Sequence, residues 1–169
     1  MKIVTLSSGH EMLVDDEDFE WMSKIRWKAL KNHRKGNVKI YAATPGNQSR
    51  LAHRLILNAP KGMLVDHIDG NPLNNQRANL RLCNNSQNHA NLSKYPGTHK
   101  YKGVRKQPRI RKQSYTAAIR HNYRTAYVSG FEDEDVAALQ YDVMAILLFD
   151  EFAQTNFPRW CAELVLECR

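Results

Sequence analysis

Four residues in one stretch of the chain have the types and spacing that phosphodiester chemistry requires. Asp66 stands directly before His67, Asn79 follows His67 by twelve positions, and Asn88 follows Asn79 by nine. Cleaving a phosphodiester needs an activated water, neutralisation of the phosphoryl oxygens and stabilisation of the leaving 3′ oxygen, and one divalent metal can supply the last two. A histidine titrating near neutrality can supply the first, provided that something fixes its tautomer and ring orientation. Asp66 places a hard oxygen ligand beside such a base, and Asn88 offers a second, neutral oxygen to the same ion. Two protein ligands leave most of the coordination shell to water and phosphate, which is how Mg²⁺ is usually held.

Neighbouring side chains on a strand point to opposite faces, so Asp66 and His67 converge only where strand geometry breaks. The sequence HIDGNPLNN supplies a break, with Gly70 and Pro72 as turn residues, and lets His67 sit at the entrance of a loop. Asn79, at the end of that loop, is placed to hold it closed and to present a carbonyl to the other ring nitrogen of His67. Taken singly, His67 or Asn79 is an ordinary loop residue; four in register argue otherwise. Asp69, Asn71, Asn74 and Asn75 read as turn formers. His89, next to Asn88 on a helix, points about 100° away and is left out. Eight asparagines lie between Asn71 and Asn91, more than turns alone explain.

The elements around these residues fall into an α+β pattern. Residues 1–57 read as an α+β scaffold with a surface open to DNA: KIVTL and KIYAATP as strands, VDDEDFEWMSKI as an acid-started helix, KNHRKGN as a polar loop, and Trp21 and Trp27 as core. Within LAHRLIL, Arg54 either contacts phosphate or belongs to a core-edge helix. Residues 58–93 carry the four chemical residues, with MLVD and LRLC as strands and NNSQNHANLS as a helix. Residues 94–100 read as a linker. Residues 101–158 read as three strands, GVRKQPRI, SYTAAIR and TAYVSGF, and one long helix whose stripe of Val136, Leu139, Val143, Ile146 and Leu147 is expected to pack on the sheet. Residues 159–169 are left as a tail.

Composition limits the classes. The 169 residues carry 25 Lys and Arg against 17 Asp and Glu, a net +8, and 42% are hydrophobic, enough for a core. No stretch approaches the ~20 apolar residues of a membrane helix, and MKIVTLSSGHEM has no apolar signal block, so the expectation is a cytoplasmic protein with no membrane partner. Cys83, Cys161 and Cys168 form no Cys-x-x-Cys pair and read as incidental thiols. Residues 94–127 hold ten Lys and Arg and no acid, while the other residues sum to −2. Tyr95, Tyr101, Tyr115, Tyr123 and Tyr127 are interleaved in that basic run, a combination suited to phosphate contact with base or sugar packing.

The run from Met63 to Asn91, VDHIDGNPLNNQRANLRLCNNSQNHAN at its centre, resembles the ββα-metal motif of HNH endonucleases in their His-Asn-Asn variant. The resemblance implies a metal-dependent DNA endonuclease, homing-type, in which Asp66 and Asn88 bind Mg²⁺ or Mn²⁺, His67 is the general base and Asn79 orients it. Asn88 stands where many HNH enzymes carry a second histidine. The partner implied is double-stranded DNA, in the cytoplasm of a host cell if the enzyme is phage-encoded, with no small-molecule cofactor. Residues Tyr101 to Pro158 resemble the Apetala2/ERF DNA-binding domain, which lays a three-stranded sheet in the major groove. That likeness assigns Arg105, Arg109, Arg120 and Tyr127 to the outward face and Arg111, Lys112 and Arg124 to phosphate-contacting turns; Lys102 joins the DNA-binding set. A monomer that nicks and a weak dimer that cuts both strands both remain open. The alternative class is a non-catalytic, sequence-specific DNA-binding regulator that keeps the HNH fold, and a nucleic-acid chaperone is a weaker third; intact Asp66, His67 and Asn88 argue for the enzyme.

Overall fold

A computed structural model describes residues 1–34, 37–92, 100–108 and 114–167. Arg109, Arg111, Lys112, Tyr95, Cys168 and nearly all of the expected linker lie outside the described residues. The described chain forms two compact units, residues 1–84 and 85–169, each a mixture of helices and small antiparallel sheets.

The first unit is built from three hairpins and two short helices: β1 Lys2–Thr5, β2 Glu11–Val14, α1 Asp16–Met22, β3 Lys28–Arg34, β4 Asn37–Ala43, α2 Ala52–Ile56, β5 Leu64–His67 and β6 Leu80–Cys83. Strands pair β1 with β2, β3 with β4 and β5 with β6, all antiparallel. Acidic residues open α1, where the helix dipole favours them. The core gathers Val4, Met12, Val14, Met22 and Trp27 with Ile56 and Leu80, so the expected scaffold and the β5–β6 hairpin share one interior. Trp27 is fully buried and donates its indole N–H to the Met22 carbonyl at 2.8 Å; Trp21 packs at the margin.

One expected loop is a strand. KNHR continues β3 and pairs with β4, because a hairpin exposed on both faces shows no hydrophobic alternation in sequence.

The second unit contains α3 Asn85–Ala90, β7 Val104–Lys106, β8 Tyr115–His121, β9 Arg124–Phe131, α4 Glu134–Phe149 and α5 Arg159–Glu167. Its sheet has the order β7-β8-β9, antiparallel throughout. Tyr115, Ala117 and Ile119 of β8 are buried, and α4 packs on that side through Ala137 and Ala138. Asn122 and Tyr123, both at positive φ, close the β8–β9 hairpin in the conformation that matches strand twist. Asp133 caps α4 by accepting from the Asp135 and Val136 amides.

Two expectations about this unit change. Of the α4 stripe, Val143 and Ile146 are buried, but Val136 and Leu147 are exposed; the buried face is carried by Ala137, Ala138, Tyr141, Ala145 and Phe149 instead. Residues 159–167 are not a tail but a helix, with Ala162, Val165 and Leu166 against Val143 and Ile146 and an Arg159–Glu163 pair one turn apart.

Candidate active site

His67 ends β5, opposite Leu80, and the chain turns at once: the Gly70 amide donates to the His67 carbonyl at 2.9 Å, with Gly70 at φ +74°. The loop that follows is shaped by its own polar side chains. Asp69 accepts from the Asn71 amide, from Asn74 Nδ2 and from Asn79 Nδ2, so Asp69, Asn71 and Asn74 do act in the turn. Burial pushes the Asp69 carboxyl up, but these hydrogen bonds outweigh it and hold the group below its ordinary value. Asn79 closes the loop from its far end: its Oδ1 accepts the Asp69 amide at 3.0 Å, and its Nδ2 reaches Asp69 Oδ1 and the Asn74 carbonyl at 2.9 Å.

The carbonyl at the His67 ring belongs not to Asn79 but to Asn75, a residue whose sequence context reads as a turn former. Asn75 Oδ1 lies 3.2 Å from His67 Nε2, and Asn75 is fully buried. Its Nδ2 points at the Pro72 carbonyl, which identifies the atom facing the ring as the acceptor. An acceptor in that position favours the tautomer with the proton on Nε2. The scaffold fixes Asn75 in turn. The Asn75 amide donates to the Leu13 carbonyl at 2.8 Å, and the Leu13 amide donates to Leu73 at 2.8 Å, so the loop docks on β2. Asp15 receives Gln76 Nε2 and the Arg77 amide, and Arg77 forks onto the buried Asp18 carboxylate at 2.8 and 2.9 Å.

His67 is enclosed by aromatic rings. His53 of α2 stands edge-on at 5.0 Å and Tyr41 of β4 at 6.4 Å, with 5.8 Å between Tyr41 and His53. Burial lowers the His67 pKa below the usual histidine value, against the opposing pull of Asn75, Asp69 and Asp66. It drives His53 down to about 3. Both rings are neutral at physiological pH, the state in which His67 can accept a proton.

Asp66, one residue before, has a different neighbour. Strand alternation turns it away from the His67 ring, and its cross-strand partner is Arg81, whose Nε and Nη2 lie 3.0 and 2.9 Å from Asp66 Oδ2. The pair is nearly buried. Neither Arg81 nor Asn75 was identified from sequence; the crowding of asparagines was the one signal that pointed to the latter. Asn88 lies midway along α3, in the second unit, half-buried. Among the described residues, no group of three or more His, Cys, Asp and Glu gathers as a metal cage. The donors expected for an ion, the Asp66 carboxylate and the Asn88 amide oxygen, are hard and few; they suit Mg²⁺ or Mn²⁺ better than a thiolate- or imidazole-seeking metal. Cys83, beside Asp66 and buried, has its thiol pushed up to about 11 and is no nucleophile.

The residues expected to touch DNA divide. Arg54 donates to the carbonyls of Ala59, Pro60 and Met63 and clamps the turn before β5, so its guanidinium is engaged by the chain itself. Lys102 turns inward: its ammonium donates to the Ala90 and Gln154 carbonyls, and burial pushes its pKa down to about 8. Each therefore has a structural role in its own unit, Arg54 through three backbone carbonyls and Lys102 through its burial, beside the DNA contact expected of it. Arg105, Arg120, Arg124 and Tyr127 are exposed on the sheet. The register pairs Arg105 with Thr116, Ala118 with Tyr127 and Arg120 with Thr125, so Arg105, Arg120 and Tyr127 share the face away from α4. Arg124 follows the hairpin turn, and Arg120 lies 5.9 Å from the Tyr123 ring.

Comparison with known proteins extends beyond the loop. The family model for HNH endonuclease matches residues 50–90. An uncharacterised HNH endonuclease of Acanthamoeba polyphaga mimivirus is 39% identical over 137 residues, 80% of this chain and 68% of that protein. A Bacillus subtilis SPbeta-prophage protein named for HNH homing endonucleases is 48% identical over 48 residues, 25% of this chain and 28% of its own length. No solved structure matches the chain. The likeness to the mimivirus protein runs through both units and not the motif alone, and on that breadth the chain belongs to the HNH endonuclease family and is a nuclease.

Proposed function

We propose that this nuclease hydrolyses phosphodiester bonds in double-stranded DNA with one divalent metal ion, His67 acting as general base. The observation that carries this reading is the enclosure of His67: a buried, neutral ring whose tautomer is set by Asn75. The neutral His67 ring takes the proton of an attacking water. Asn75 holds Nε2, and Asn79 holds the loop on which both depend. Asp66 is the residue of this unit that would hold the ion, whose chemistry is to neutralise phosphoryl oxygens and stabilise the departing 3′ oxygen. Arg81 keeps the Asp66 carboxylate oriented at the end of the hairpin.

In the second unit, the exposed face carrying Arg105, Arg120 and Tyr127 supports the reading of an Apetala2/ERF-like domain that lies in the major groove and selects the site, with Arg124 on phosphate. The viral and prophage sources of the relatives fit a homing-type role in a mobile element. Attack by water with the 3′ oxygen leaving gives 5′-phosphate and 3′-hydroxyl ends. Nicked plasmid made by the purified protein should therefore be resealed by DNA ligase without enzymatic repair of the ends, and EDTA should suppress nicking. Ends that ligase cannot seal, or nicking that survives EDTA, would refute the mechanism.

A further inference from the structure

The charge of the first unit is segregated. From Trp21 to Val65 the sequence carries ten Lys and Arg and no Asp or Glu, whereas α1 opens with Asp16, Glu17 and Asp18. The −2 found outside residues 94–127 therefore hides a net +5 over residues 1–93, set against −7 over residues 128–169. Near the acids, cations are paired: Lys24 with Glu20, and Arg77 with Glu17 and Asp18. On the β3–β4 hairpin, no ion pair joins Lys28, Lys31 or Lys39 to a carboxylate among the described residues.

The hairpin leads to the site. Its register places Leu30 opposite Tyr41 and Asn32 opposite Lys39, so these four share a face. Tyr41 of that face stands beside His53 and His67, and Lys39 Nζ donates to the Gly70 carbonyl at 3.2 Å, in the turn that follows His67. Beyond Tyr41 the hairpin has no buried side: Leu30 is 44% and Val38 52% exposed, and Lys31, Asn32, His33 and Lys39 are exposed as well. Core packing does not account for cations held out on a two-stranded ribbon next to a buried base. From Tyr41 to the tip is four residues, roughly 14 Å of strand, which matches about four base pairs of helical rise.

We propose that the β3–β4 hairpin is a phosphate-binding arm of the nuclease unit, gripping the DNA backbone beside the bond presented to His67 from both faces of the ribbon, through Lys39 on the face of Tyr41 and Lys31, opposite Ile40, on the other. This rests on the reading of the first unit as the DNA-cleaving one. The arm holds any sequence equally, because it meets phosphates and not base edges.

The test measures binding of the full-length His67→Ala protein to a short mixed-sequence duplex in EDTA across a salt series. Adding Lys31→Ala and Lys39→Ala should weaken binding and reduce the slope of log K against log salt by about 1.8, that is about 0.9 per phosphate contact. Lys31→Arg with Lys39→Arg should keep the slope, and thermal melting should be the same for all variants. An unchanged slope in the alanine variant overturns the arm, as does an equal loss in the arginine variant. Plasmid nicking by the wild-type protein in Mg²⁺, run in parallel, separates the two readings. Normal nicking with an unchanged slope removes the arm alone, whereas a reduced slope without nicking removes the cleavage reading and leaves the arm.

Discussion

A neutral amide against a buried imidazole does two things that a carboxylate would not do together. It fixes which nitrogen bears the proton, and it leaves the ring uncharged. Asn75→Ala should therefore lower kcat by about 10²-fold or more, within the range that general-base catalysis contributes, while KM for DNA stays near wild type. A matched fall in affinity would show Asn75 to be a loop-folding residue only. The two enclosed histidines also make stability sensitive to acid. His53 titrates at about 3 in the folded protein and near 6.5 when unfolded, so between those values the unfolded chain binds the extra proton. Stability contributed by the neutral ring is present above pH 6.5 and declines by about 1.4 kcal/mol per pH unit as pH falls towards 3. Urea melts at pH 6.5, 5 and 4 should show this, and His53→Phe should remove about one proton's worth of the slope. At Arg81 the expectation is different in kind. Arg81→Ala strands a nearly buried Asp66 carboxylate and should cost about 3 to 5 kcal/mol, read by thermal or urea unfolding.

Among the elements, those with a strong period were legible and those shaped by neighbours were not. LRLC gave β6 to the residue, and Tyr115, Ala117 and Ile119 alternate as read. The β3 continuation through KNHR has no apolar face to reveal it, and α4 buries alanines where larger residues at helical spacing stay exposed, because the sheet approaches that helix closely. The same closeness makes Gly103 irreplaceable. It sits at φ +73°, and a Cβ there would lie 2.0 Å from the buried Tyr141 ring. Gly103→Ala should destabilise the second unit by about 2 to 4 kcal/mol in a melt of the intact protein, combining backbone strain with overpacking. For the sheet, register separates two arginines four positions apart. Arg120→Ala should relax base preference at one position of a selected site, whereas Arg124→Ala should weaken all sequences alike and flatten the salt dependence. Identical selection profiles for wild type and Arg120→Ala would reduce the sheet to an electrostatic clamp.

At the scale of the whole molecule, chemistry and grip are distributed over long sequence distances, and this is where the sequence alone fell short. The spacing of Asp66, His67, Asn79 and Asn88 singled out the four residues proposed to carry the chemistry. It could not show that Asn75 reaches His67, since that contact depends on Leu13 and Asp15 some sixty residues earlier. Nor could it show that Arg54 and Lys102 are occupied by their own chain, since the carbonyls they meet belong to loops without pattern. No described helix is long and apolar enough to cross a membrane. The central claim is that His67 is the base of a metal-dependent DNA hydrolysis. Its most direct test is plasmid nicking by wild type and His67→Ala, each with Mg²⁺, with EDTA, and with Mg²⁺ restored. Wild type should nick only with the ion present and regain activity on its return, and His67→Ala should bind the plasmid as well yet nick at least about 10²-fold more slowly. Nicking by His67→Ala at the wild-type rate would contradict the account.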